Sequence, residues 1–230
     1  MYSDCVCQST ESLGNVIEHS MKTSDVPSPI DLRLMSDASE WEATAMQKRP
    51  WRTEFFAKFA DELANMEPAA ARVLELGSGP GFLASIVMCQ ISDLRITLLD
   101  FSEAMHALAR QRLGTMIDRV EFLVRSFKDP EWFQGLDNFD AVITNQAVHE
   151  LRHKRYAEEL HRQVARVLRP GGTYLVCDHF SGPGGMANDQ LYMTAAEQKS
   201  AIESAGYASV IQVLLKGGMV LHRATTSNLT

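Results

Sequence analysis

From Ala71 onward the chain alternates short apolar runs with stretches of helical periodicity, and this rhythm constrains the fold more than any other feature. Runs at 72–76, 94–99, 120–124, 139–144 and 173–177 are five or six residues long and rich in Val, Leu and Ile, so they read as buried strands. Between them lie helical patterns at Phe82–Gln90, Glu103–Leu113 (with Ser102 as its N-cap) and Lys154–Leu168. Arg169-Pro170-Gly171-Gly172 ends the last of these, because proline cannot continue a helix and glycine tolerates the turn. A further helix is expected near Ala195–Ala205. Two more strands follow at Ser209–Leu214 and Gly218–Arg223, close enough together to form an antiparallel hairpin. The expectation is an α/β chain with a doubly wound, mostly parallel seven-stranded sheet, ending in that hairpin. In such sheets ligands bind beyond the carboxyl ends of the strands, so the residues just after each strand are where chemistry is to be sought.

Upstream, Trp51, Phe55, Phe59 and Leu63 recur at four-residue spacing and mark an amphipathic helix. The organisation expected is a flexible arm over 1–26, a helical cap over 27–68 and the main domain over 69–230. The arm is serine-rich and acidic, a composition that buries too little apolar surface to offset the entropy of ordering. The whole chain has 22 Lys and Arg against 29 Asp and Glu, a formal charge of −7, which speaks against nucleic acid as a partner. No apolar run approaches the roughly 20 residues of a membrane span and no targeting segment is visible, so a cytoplasmic protein is expected. Cys89 and Cys177 fall in apolar patterns and read as buried free thiols, whereas Cys5 and Cys7 sit in the arm. No cluster has metal-ligand spacing, so no metal is expected. Nothing in the sequence fixes an oligomeric state.

The first strand runs into Gly77-Ser78-Gly79-Pro80-Gly81, where glycine permits a tight turn and close approach of a ligand to the backbone. The spacing is G-x-G-x-G, with Phe82 where a dinucleotide fingerprint needs its last glycine, and no Lys-Ser or Lys-Thr follows to make a P-loop. Asp100 immediately follows the second strand, where a carboxylate can accept from both hydroxyls of a ribose; the bland alternative is an N-terminal partner for the next helix. Glycines and acid together suggest a nucleoside cofactor lacking a pyrophosphate.

These segments resemble the class I methyltransferases that use S-adenosylmethionine. The resemblance spans Ala71 to Arg223 and is carried by four segments: Val73–Gly81, Asp100-Phe101-Ser102, Phe139–Leu151 and Leu168–Gly172. It implies a Rossmann-like methyltransferase fold, S-adenosylmethionine as cofactor, S-adenosylhomocysteine as product and a small-molecule acceptor. It also implies that Glu75 and Gly77 lie near the methionine part, with Ser78, Gly79 and Gly81 shaping the loop. Asp100 would hold the ribose, Phe101 would pack on adenine, Ser126 and Phe127 would flank the adenine edge, and Asn145 would lie beside the sulfonium. Many relatives carry aspartate where Ser126 stands, and a neutral hydroxyl contributes less there. Arg49 or Arg52 would pair with the cofactor carboxylate, and Trp41 or Trp51 would cover a flat acceptor or simply pack the cap.

His149, just after the fourth strand, is the candidate catalytic base, set against a role in shaping the pocket; Glu150 and His179 are weaker candidates. The basic run Arg152–Arg155 reads as a solvated first turn. O- or C-methylation is favoured over N-methylation because oxygen or carbon fits a useful His149, whereas nitrogen would need less from it. Residues 145–148 (Asn-Gln-Ala-Val) do not form the Asn-Pro-Pro-Tyr type of tetrad, which disfavours amino methylation of bases or glutamine. Two rivals stay open: a cofactor-binding module without catalysis, and another enzyme on the same fold, either a nicotinamide oxidoreductase or an aminopropyl transferase.

Overall fold

A computed structural model describes residues 24–66 and 69–228. Two helices come first, α1 (Met35–Lys48) and α2 (Arg52–Ala64). The alternating part follows as β1 (Arg72–Leu76), α3 (Phe82–Gln90), β2 (Arg95–Asp100), α4 (Glu103–Leu113), β3 (Val120–Val124), β4 (Phe139–Asn145), α5 (Ala157–Val167), β5 (Leu168–His179), α6 (Ala195–Ser204), β6 (Ser209–Lys216) and β7 (Met219–Thr225). The seven strands form one sheet in the order β3-β2-β1-β4-β5-β7-β6. The pairs from β3 across to β5 are parallel, while β7 runs antiparallel to both β5 and β6. After β1 the chain winds outward through β2 and β3, then returns to place β4 on the other side of β1. That reversal puts the switch point at the carboxyl ends of β1 and β4.

Strand alternation divides the core into two layers, because successive side chains point to opposite faces. Val73, Ile96, Leu98, Ala141, Ile143 and Leu175 join Phe55, Phe59 and the apolar sides of α3 and α4 on one face. Leu74, Leu76, Val142, Tyr174 and Val176 join Trp132, α5 and α6 on the other. Each fully buried large side chain contributes about 1.5–3 kcal/mol, so both faces must be covered for the sheet to persist.

Several local expectations need correction. The helix expected from Lys154 begins at Ala157; Lys154–Tyr156 is a 3₁₀ turn whose cap is His153 Nδ1 accepting from the Arg155 amide. Tyr156 is therefore exposed, its hydroxyl 3.0 Å from an Asp25 carboxylate oxygen, rather than on the buried face. β5 extends back through the Pro-Gly-Gly turn: Leu168 pairs with Phe139 and pairing resumes at Thr173 with Ala141, so residues 169–172 bulge between them. Cys89 is exposed, because it lies with Ile86 and Gln90 on the solvent side of α3, while Cys177 is buried. The hairpin turns at Gly217 and Gly218, both at positive φ (56° and 76°), and Trp51 packs so close that a Cβ at Gly217 would lie 2.4 Å from its ring. α1 was not foreseen as a separate helix: it buries only Ala38 and Ala45 and lacks a large apolar stripe.

Ser102 caps α4 as expected, its hydroxyl accepting from the Met105 amide at 3.1 Å. The arm expected over 1–26 lies mostly outside the described residues, as do Cys5 and Cys7. Asp25 and Val26 are described, and they are bound to the 150s segment. Val26 N donates to Arg152 O, Arg152 donates back to the carbonyls of Val26 and Pro27, and Arg155 pairs with Asp25 at 2.8 Å. The basic run thus ties down the N-terminal segment instead of standing in solvent; Arg152 and His153 are buried. Among the described residues no helix is long and apolar enough to cross a membrane.

Candidate active site

One cavity of about 190 Å³ opens at the switch point. Its floor comes from the ends of β1, β2 and β4, its far wall from the end of β5 and the loop before α6, and its roof from α1, α2 and Leu32. Of the residues singled out in the sequence, Arg52, Glu75, Gly77, Ser78, Gly79, Asp100, Phe101, Phe127, Asn145 and His149 all line it. Gly81 and Ser126 do not. Gly81 is the N-cap of α3 at φ 76°, and a Cβ there would meet Ala109 Cβ at 3.2 Å, so it sets how closely α3 packs on α4. The Ser126 hydroxyl turns to its own loop and accepts from the Lys128 amide.

The glycine turn is fixed from beneath. Gly77 and Ser78 donate to the carbonyl of Leu99, and Asp100 accepts from Gly79 N at 2.8 Å and Ser102 N at 2.9 Å. Gly77 sits at φ 65°, and a Cβ on it would lie 2.4 Å from Ala147 Cβ, which ties the turn to the loop after β4. Asp100 is buried, which pushes its carboxyl up to about 6 even though the Gly79, Ser102 and Phe101 amides pull it down. Phe101 leaves its ring partly exposed at the cavity edge (41%).

Three buried polar atoms in this half have no partner: Glu75 Oε2, Ser78 Oγ and Asn145 Oδ1. Unpaired buried groups are costly, so such a cluster marks a place where a polar ligand is expected. Burial, reinforced by the Asp100 charge, raises the Glu75 carboxyl well above its usual range. A cation or N–H donor beside it would return it to the charged form. Arg52 is also buried; desolvation, with the neighbouring Arg49 charge, lowers its guanidinium to about 10. A carboxylate placed there would relieve that cost.

The other half is a network. Arg52 donates through Nε to Gln146 Oε1 and through Nη1 to Ala45 O (2.8 Å), and the Gln146 amide nitrogen donates to His179 Nε2 at 2.7 Å. Gln146 holds this bridge from the left-handed region (φ 57°), a conformation costing a non-glycine residue about 1–2 kcal/mol. Beside it, Asp178 accepts three N–H groups: His149 Nδ1 at 2.6 Å, the His149 amide at 2.8 Å and the His179 amide at 2.7 Å. Burial would raise the Asp178 carboxyl, but the His149 charge and hydrogen bonds outweigh it and hold it below the usual range. Burial would likewise depress His149, yet Asp178 and Glu150 (Oε1 3.4 Å from Nε2) overcome it and raise the imidazole to about 9. His179 goes the other way, desolvated to about 4. The Tyr192 ring packs 5.3 Å from His149 and 5.8 Å from His179.

Trp41 lines the cavity and covers Arg52 at 5.3 Å, whereas Trp51 lies outside and packs the hairpin. Sequence reasoning missed Gln146, Asp178 and Tyr192 as parts of this site. The first two immediately follow or end a strand, which is the available signal; Tyr192 sits in an irregular loop and carried none. No group of three His, Cys, Asp or Glu side chains among the described residues could hold a metal ion.

A family model described as a methyltransferase domain matches residues 73–172. Over 129 residues the chain is 31% identical to a demethylmenaquinone methyltransferase of Clavibacter sepedonicus, covering 55% of this chain and 49% of that protein. The chain spans about half or less of the length of the curated relatives it matches most strongly. An O-methyltransferase family protein of Burkholderia thailandensis superimposes with a TM-score of 0.65 at 17% identity, over 86% of this chain and 64% of the other. A 1,6-didemethyltoxoflavin-N1-methyltransferase of the same organism, solved with bound 1,6-didemethyltoxoflavin and S-adenosylhomocysteine, gives a TM-score of 0.59 at 20% identity, over 89% of this chain and 95% of the other. Residues 73–172 thus match a methyltransferase domain, the fold is shared with solved methyltransferases, and the unpaired polar groups of this cavity would suit S-adenosylmethionine.

Proposed function

We propose that this chain transfers a methyl group from S-adenosylmethionine to a small molecule, at oxygen or carbon, releasing S-adenosylhomocysteine. The observation that carries the reading is the union, in one cavity, of the Gly77–Pro80 turn and Asp100 with His149, which is held from behind by Asp178. In this reading Asp100 receives the ribose hydroxyls on the lone pairs its backbone partners leave free. Phe101 and Phe127 pack the adenine, Glu75 receives the ammonium and Arg52 the carboxylate. When bound, S-adenosylmethionine supplies a methyl carbon already activated by its sulfonium.

The protein's task is then alignment, an effect worth up to about 7–11 kcal/mol in intramolecular models. Asp178 fixes the tautomer of His149 by taking Nδ1–H, leaving Nε2 to take a proton from an acceptor hydroxyl or acidic carbon. A cation entering the cavity disfavours the imidazolium, so His149 moves toward its neutral, basic form as the site fills. Nitrogen acceptors would make less use of this pair. The unpaired thiols of Cys89 and Cys177 and the acidic net charge are consistent with a cytoplasmic enzyme acting on neither membrane nor nucleic acid.

Calorimetric titration with S-adenosylhomocysteine tests the reading. Wild type should bind, and Asp100→Ala should bind at least about tenfold more weakly, a loss of about 1.4 kcal/mol. No binding by wild type, or equal binding by the variant, would remove the basis for the cofactor assignment. Tight binding with no methyl transfer over a broad acceptor panel would favour the non-catalytic module instead.

A further inference from the structure

The turn between α1 and α2 points two guanidinium groups into the same cavity, and they differ in what holds them. Arg52 is buried and anchored on Gln146 and on the Ala45 carbonyl, under the Trp41 ring. Arg49 is half-buried, and its guanidinium has no hydrogen bond or ion pair among the described residues. It lines the cavity, and its charge reaches His179 and Tyr192 as well as Arg52, so it lies near the wall that those two rings form.

The acids of the cavity do not neutralise it. Glu150 pairs with His149 and Arg152, Asp178 is enclosed by three N–H groups, and Asp100 is bonded to the amides of the glycine turn. Glu75 lies buried beside Asp100, with its free oxygen suited to an ammonium. Resting on the methyltransferase reading, the count of ligand charges is simple. The amino-acid end of the cofactor brings one carboxylate for two arginines, and its sulfonium adds another positive charge to the same enclosed space. An arginine that faces the cavity without a carboxylate partner favours an anion beside it, and in this reading the cofactor's single carboxylate goes to Arg52. The anion for Arg49 would then arrive with the acceptor.

We propose that Arg49 is the specificity residue of the acceptor site and that the acceptor carries a carboxylate, held by Arg49 at the end remote from the atom methylated. The wall between Arg49 and His149 is made of His179 and Tyr192, whose rings lie 5.6 and 5.3 Å from that of His149. A flat acceptor with its carboxylate on Arg49 would lie along this wall and present its other end to His149. Arg52 is left to the cofactor.

The test uses the full chain as wild type, Arg49→Gln and Arg52→Gln, with thermal melts to verify folding. S-Adenosylhomocysteine and 5′-methylthioadenosine, which lacks the amino-acid end, are titrated into each. Arg52→Gln should weaken the first at least about tenfold and leave the second unchanged, while Arg49→Gln should change neither by more than about twofold. In the S-adenosylhomocysteine complex of wild type, 4-hydroxybenzoate should bind at least about tenfold more tightly than 4-hydroxybenzamide, and Arg49→Gln should abolish that preference. A tenfold loss of S-adenosylhomocysteine affinity in Arg49→Gln overturns the assignment, as does benzoate binding no better than benzamide, including undetectable binding of both. Wild type that fails to bind S-adenosylhomocysteine at all sinks the methyltransferase reading and this inference with it. Wild type that binds it but ignores the carboxylate sinks this inference alone.

Discussion

The two halves of the cavity are built on different principles. The half at the ends of β1 and β2 is a backbone structure: a glycine turn stapled to Leu99 and Asp100, with Glu75 Oε2 and Ser78 Oγ left unpaired. The half at the ends of β4 and β5 is a side-chain structure, in which Arg52, Gln146 and His179 are joined in one chain and Asp178 clamps His149. Under the proposed function the contrast is a division of labour. A ligand common to a whole family can be met by main-chain geometry and a few open polar atoms, whereas the reacting group needs one preorganised network for its own chemistry.

The sharpest way to break the comparison is to damage the second half and ask whether the first responds. His149→Gln should lower kcat by about 10²–10⁴, the span of general-base contributions, with S-adenosylhomocysteine affinity little changed. A parallel loss of affinity would show that the halves are one unit. The pH profile refines this. His149 is raised to about 9, and a base must be unprotonated, so kcat/KM of wild type should climb with pH until that proton is lost. Asp178→Asn removes the negative charge that favours the imidazolium. Its limb should therefore shift to lower pH while its plateau drops; an unmoved limb would mean that another group titrates.

Gly77 is the seam. Gly77→Ala demands a left-handed alanine, costing about 1–2 kcal/mol, and pushes a methyl into Ala147 two residues before His149. Affinity for S-adenosylhomocysteine should fall by about tenfold or more and kcat should fall with it, measured by calorimetry and single-turnover assay. A loss confined to either quantity would mean that the turn and the β4 loop move independently.

The smallest effect is expected at Ser126, whose hydroxyl serves its own loop. Ser126→Ala should leave S-adenosylhomocysteine binding within about twofold of wild type, less than a typical hydrogen bond's worth. A larger loss would place that hydroxyl on the ligand and enlarge the first half.

What the sequence determined by itself is the sheet and the backbone half of the site. Parallel buried strands must be written as continuous apolar runs, and turns at positive φ must be written in glycine, so both leave contiguous marks. The hairpin, the Ser102 cap and the convergence of Glu75, Gly77 and Asp100 could all be read on that ground. Local pattern failed where a later contact decided the outcome: Tyr156 left its helical face for Asp25, Cys89 fell on the solvent side of α3, and α1 hid behind a weak stripe.

The tertiary structure alone decided the side-chain half. Arg52 and Gln146 are 94 residues apart, His149 and Asp178 are 29 apart, and Tyr192 comes from an irregular loop. No periodicity or local motif encodes such pairings, because their partners meet only when the cap closes over the switch point and β4 and β5 end side by side. Arg49 and Arg52, three residues apart in sequence, were set apart the same way. One guanidinium found Gln146 and Ala45, and the other was left facing the cavity.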